Sequence, residues 1–153
     1  MYQVYRKTDL QKLIFQFILF FTMGFTSDQP YVLMVSFDGF RHDFTTMTDT
    51  PNFDKLEEEG VKAEALIPVF PSLTFPNHYS IATGAYSGTH NITGNSFYDK
   101  EFREKYSLYD REKVRDPKFY KSEPIWVTAE RQGVKAASYY WVGTEAPIKG
   151  FSP

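Results

Sequence analysis

The run YVLMVSFDGF, residues 31–40, sets the expected architecture. Its first seven residues, Tyr31 to Phe37, are continuously apolar and β-rich apart from Ser36, as in a strand covered on both faces, and Asp38-Gly39 closes it in a turn. Such strands belong to mostly parallel sheets flanked by helices, and ligands bind outside their carboxyl ends. Asp38 therefore places a carboxylate at the edge where α/β proteins do their chemistry.

Reading outward, Thr50-Pro51 opens a helix as N-cap and first-turn proline, Phe53 and Leu56 supply its apolar stripe, and Gly60 stops it. Val61 to Val69 returns to extended character, closed into a loop by Pro68 and Pro71. A second helix begins near Thr74, with Pro76 in its first turn and Gly84 as its C-cap. Tyr86 to Lys121 lacks sustained periodicity and reads as an elaborated loop region. Ser122 and Pro124 start a third helix that runs to Gly133, and Val134 to Val142 reads as a further strand. The alternation predicts an α/β fold.

Composition narrows the function classes. The chain has 153 residues, one domain or part of one, and 42% hydrophobic content suits a packed core. Seventeen Lys and Arg against nineteen Asp and Glu give a net charge of -2, too balanced for a protein that binds nucleic acid by neutralising phosphates. With no cysteine, any metal must sit on carboxylate, imidazole or hydroxyl groups. Arg6, Lys7 and Lys12 precede an apolar run from Leu13 to Phe25, which has the length of a secretory signal and is short for a membrane span. Residues 1–26 are expected to be a signal peptide, with the cut near 24 to 27, or an uncleaved anchor as the only membrane attachment. Residues 27–153 are then extracytoplasmic, periplasmic or secreted.

Thr74 at a helix N-terminus gains from the N–H groups and helix dipole, which favour negative charge on its oxygen. A cation held by Asp38 and touching Thr74 would make that hydroxyl a nucleophile suited to phosphoryl transfer. Asn95, in GTHNITGNSFYD, offers an uncharged amide to a phosphate oxygen. Taken singly, each is also an ordinary turn or cap residue. His42 stands four residues from Asp38, and His78 four from Thr74, where it can support the loop or simply pack. His90 reads as a polar loop residue, and Asn91-Ile92-Thr93 fits a glycosylation sequon. Tyr140 and Trp141 can stack on a ligand or belong to the core.

Four separated blocks, LMVSFDGFRHDF at 33–44, TPNFDKLEEEGV at 50–61, FPSLTFPNHYSIATGAYSGTHNITGNSFYD at 70–99 and EPIWVTAERQGVKAASYYWVGTEAPI at 123–148, resemble in order and spacing the nucleotide pyrophosphatase/phosphodiesterase family of the alkaline phosphatase superfamily. The resemblance implies an alkaline-phosphatase-like α/β fold, a secreted or membrane-anchored enzyme with two zinc ions, and a small-molecule phosphodiester or nucleotide substrate. By position it makes Asp38 a metal ligand and Thr74 both a metal ligand and the nucleophile that is transiently phosphorylated or nucleotidylated. It makes Asn95 the residue that steadies the phosphate, and Phe75 a neighbour of the substrate pocket. Leu73 stands where many members carry Lys. The family's remaining zinc ligands, an Asp and His pair, an adjacent Asp-His pair and a further His, have no counterpart here. The chain is therefore expected to be an amino-terminal part of such an enzyme, with an incomplete fold and no activity alone. The alternatives are a secreted binding module without catalysis, or a phosphomonoesterase or sulfatase of the same superfamily. The enzyme reading requires that the Asp38 and Thr74 oxygens lie close enough to share one cation.

Overall fold

A computed structural model describes residues 30–153. The expected signal at 1–26 lies outside them, and among the described residues no helix is long and apolar enough to cross a membrane. The chain divides into two units, Met1–Ser36 and Phe37–Pro153. In the first, residues 30–36 are exposed and without regular structure.

In the second unit a single 3-10 turn, Phe44–Thr46, leads to helix α1, Pro51–Glu59, and then to α2, Thr74–Thr83, and α3, Ser87–His90. Strands β1, Ser96–Asp99, and β2, Glu104–Ser107, follow as an antiparallel hairpin in the register Ser96 to Ser107 and Asp99 to Glu104. Helix α4, Arg111–Arg115, a 3-10 turn at Pro117–Phe119 and α5, Ile125–Arg131, complete the regular elements.

The helix boundaries follow the local signals. Pro51 occupies the first turn of α1, and Gly84 ends α2 in the left-handed region at φ 65°, a conformation that costs glycine little. Thr50 contributes differently from a simple cap, donating its hydroxyl to Asp54 Oδ1 at 2.9 Å. Asp110 caps α4 by accepting from the Glu112 and Lys113 amides.

The strands expected at 31–37, 61–69 and 134–142 are not formed, and the one sheet among the described residues is antiparallel. A buried strand is stabilised by ladder partners on both sides and by cover on both faces, which no apolar run supplies for itself. Val61 and Ile67 are accordingly 99% and 87% exposed. The region 86–121, expected as loop, instead carries α3, the hairpin and α4. Elements of four or five residues are too short to show a period. The β1–β2 turn is set by Asp99, whose Oδ1 accepts from the Glu101 and Phe102 amides.

The core is aromatic. Tyr79 of α2, Tyr106 of β2, Phe119 and Tyr120 are buried with Ile92, Val114, Trp126, Val127 and Ile148. Tyr106 stacks on Phe97 at 4.9 Å between ring centroids and meets Phe119 edge-on at 5.3 Å. The Tyr106 hydroxyl lies 3.0 Å from that of Tyr120, which donates to Val114 O, and Tyr79 donates to Ser122 O. Burial raises the pKa of all three tyrosines, that of Tyr106 to about 12, so they remain protonated donors. Gly143, at φ 92°, lies against Tyr79, where a Cβ would fall 2.9 Å from its ring.

His90 is a core residue rather than a polar loop residue, fully buried against Tyr79. Its Nδ1 accepts from the Ile92 amide at 3.1 Å, so the proton resides on Nε2 and points to Ser80 Oγ at 2.8 Å. Burial lowers the pKa of His90, so the unfolded chain takes up this proton first. The corresponding stability is present above about 6.5, the unfolded value, and is lost as pH falls below it toward the lowered folded value. Melting temperatures are expected to fall more steeply between pH 7 and 5 for the unmodified protein than for His90→Gln. Parallel curves would contradict this.

Asn91 follows in the left-handed conformation, and its Nδ2 donates to Asp99 Oδ2 at 2.8 Å and Phe119 O at 3.2 Å. The amide nitrogen of the sequon is thus engaged within the fold.

Candidate active site

Two local devices bring Asp38 and Thr74 into position. Phe37 and Phe40, on either side of the Asp38-Gly39 turn, both pack against Phe53 of α1 at 5.6 Å, and Phe40 also meets Phe44 at 5.5 Å. This cluster anchors the turn, whose Gly39 adopts φ 66°. Thr74 is the first residue of α2, after Leu73 in extended conformation.

The Thr74 hydroxyl lies 3.3 Å from Asp38 Oδ2, its hydrogen-bond acceptor across 36 positions of sequence. Two oxygens on one tetrahedral zinc, each at about 2.0–2.2 Å, stand roughly 3.3–3.6 Å apart, so the spacing fits a shared cation. Among the described residues no cluster of three or more His, Asp or Glu surrounds them. They fit as two members of a shell that needs further ligands. His42 is exposed and joins no such cluster.

Asn95, just ahead of β1, reaches the same helix end: its Oδ1 accepts from the Phe75 amide at 3.0 Å. That bond fixes the orientation of the side chain, since the reverse would set two donors against each other. The Nδ2 group is thereby left as the edge available to a ligand. Pro76 has no N–H and Phe75 has given its own to Asn95. The Thr74 N–H is the amide at this helix end with no partner among the described residues. A hydroxyl, an N–H and an amide NH2 can together meet a tetrahedral oxyanion.

Phe75 is half-buried, with its ring 6.4 Å from Tyr106 and packed against the core. His78 Nδ1 lies 2.8 Å from Thr74 O, the supporting position suggested by the four-residue spacing. Trp141 is tied to α2, donating Nε1–H to His78 O at 3.1 Å, whereas Tyr140 is 89% exposed. Asn77 carries no motif of its own in the sequence. It is bonded to Val69, Pro71 and Leu73, and the only hint was an Asn within the first turn of a helix that follows a proline-rich loop.

Asp38 in its turn and Thr74 at the start of α2 thus stand side by side, with Asn95 at the same helix end. The chain belongs to the type I phosphodiesterase/nucleotide pyrophosphatase family, whose family model matches residues 32–153. Rat ectonucleotide pyrophosphatase/phosphodiesterase family member 3 is 42% identical over 128 residues, covering 82% of this chain and 14% of that protein. An uncharacterized pyrophosphatase/phosphodiesterase of Schizosaccharomyces pombe is 42% identical over 134 residues, covering 87% of this chain and 28% of that one. Among solved structures, murine ectonucleotide pyrophosphatase/phosphodiesterase 5 superposes with a TM-score of 0.73 at 34% identity, over 77% of this chain and 32% of the murine one. An inactive threonine-to-alanine variant of that murine protein, solved in complex with AMP, gives a TM-score of 0.73 at 33% identity over the same shares. The chain thus spans a minor part of the length of its relatives. Its α/β class agrees with these neighbours, and the family match favours the diesterase branch over the monoesterase and sulfatase alternatives.

Proposed function

We propose that this chain supplies the nucleophile segment of an extracytoplasmic, zinc-dependent phosphodiesterase that hydrolyses phosphodiester or pyrophosphate bonds of nucleotides. The 3.3 Å approach of Thr74 Oγ1 to Asp38 Oδ2 carries this reading. Asp38 and Thr74 would hold one of two zinc ions, and the other ligands would come from sequence outside this chain. Zinc, when bound, lowers the pKa of the hydroxyl and offsets charge on the non-bridging phosphate oxygens.

The residues of the chain do the rest. Thr74 Oγ1 attacks phosphorus, its proton passing to solvent. A bond to Thr74 forms as the bond to the leaving oxygen breaks, and water later cleaves the threonine ester. Asn95 Nδ2 and the Thr74 N–H hold the phosphoryl oxygens while these exchanges occur. The AMP bound to the inactive murine variant supports a nucleotide substrate.

Two successive displacements retain configuration at phosphorus. Hydrolysis of a chiral phosphorothioate nucleotide diester by the full-length protein in isotopically labelled water is expected to proceed with net retention, and metal analysis to find two zincs per chain. Inversion would rule out the threonine ester.

A further inference from the structure

Little packing holds the segment that leads into Thr74. Phe70 is 93% exposed and Leu73 44% exposed, so burial contributes little to its conformation. Hydrogen bonds do instead, and one side chain makes three of them. Asn77 Oδ1 accepts from the Val69 amide at 2.8 Å, while Nδ2 donates to Pro71 O at 3.1 Å and to Leu73 O at 2.9 Å. The Asn77 backbone N–H adds a bond to the same Leu73 oxygen at 3.1 Å. Both amide hydrogens and the carbonyl oxygen are thus committed to residues 69–73, and a flipped amide would oppose like groups at every contact.

The doubly held Leu73 carbonyl belongs to the peptide plane that enters Thr74. The plane that leaves Thr74 is held by His78 at the Thr74 carbonyl, and Ser87 Oγ secures the loop at Phe70 O at 3.1 Å. We infer that Asn77 is a positioning residue: it fixes the peptide plane entering Thr74, and with it the direction of the Thr74 hydroxyl toward Asp38. This rests on Thr74 being the nucleophile. Asn77 touches neither Thr74 Oγ1 nor Asp38, so its influence passes through the backbone.

The substitution Asn77→Asp keeps the Val69 acceptor but turns a carboxylate oxygen toward two carbonyls; Asn77→Ala removes all three bonds. In the full-length zinc-loaded protein both variants are expected to lose kcat on the order of 10²-fold, as for a nucleophile moved by about 1 Å. KM for a nitrophenyl nucleotide ester should stay within about three-fold, since the substrate contacts are untouched. Hydrogen exchange, read on the same proteins, should show the Val69 amide, whose N–H donates to Asn77 Oδ1, released in Asn77→Ala while the core amides of Tyr106 and Phe119 keep their protection. Full kcat in either folded variant, or a lowered melting temperature with unchanged kcat per folded molecule, would overturn the positioning role. Should the unmodified protein show no Thr74-dependent turnover, the proposed function itself fails, and unchanged exchange at Val69 would then separately refute the hold on the loop.

Discussion

Thr74→Ala in the full-length protein is expected to lower turnover of a nitrophenyl nucleotide ester by roughly 10³-fold or more while leaving the fold intact. The two halves of that expectation have different causes. Removing Oγ1 removes the atom that would form the bond to phosphorus, and loss of an attacking group typically costs several orders of magnitude. Removing it costs little stability, because its partner among the described residues, Asp38 Oδ2, lies in an exposed residue that water can satisfy. Asp38→Asn tests the other side of the contact: it keeps the shape of the side chain but deletes the charge that would attract a cation, so zinc uptake should weaken along with turnover. A secreted module that only binds its partner would retain its affinity in both variants and show no turnover to lose. Measurement of kcat, melting temperature and zinc content on the three proteins separates these outcomes.

Tyr106→Ala is expected to be the most damaging single core substitution, at about 3–5 kcal/mol. Tyr106 is fully buried, stacks on Phe97, meets Phe119 and Tyr120, and lies beside Phe75 at the start of α2. Its removal opens a cavity in the cluster that joins the hairpin to α2. Tyr106→Phe is the control. It keeps the ring and loses only the hydroxyl that faces Tyr120, whose own hydroxyl still donates to Val114 O, so the cost should be about 1 kcal/mol. Urea denaturation of both variants checks the difference. Equal costs would mean that the hydroxyl chain, not the ring packing, holds this part of the core.

The site was more legible in the sequence than the fold around it. Thr74-Phe75-Pro76 and Gly84 mark the ends of α2 through local rules of proline, hydroxyl and glycine placement, and the helix runs between them. Asp38-Gly39 likewise marks a turn by itself. The three apolar runs read as strands depended on partners that pattern cannot supply, and among the described residues they form no strands. The hairpin at 96–107 is illegible in the sequence for the opposite reason: SFYD and EKYS are too short and too polar to alternate clearly, and Asp99 closes the turn through backbone contacts.

What the sequence determined alone is therefore local: which hydroxyl begins a helix, which carboxylate ends a run, and, through four spaced blocks, which family the chain belongs to. Tertiary structure decided what lies across long sequence separations. It brought Asp38 to within 3.3 Å of Thr74, set Asn95 on the Phe75 amide, buried His90, and gave Asn77 the loop ahead of Thr74. The reason is physical: caps and turns are governed by the dihedral preferences of a few adjacent residues. The contacts of a side chain depend on which distant segments the packing of the aromatic core brings beside it.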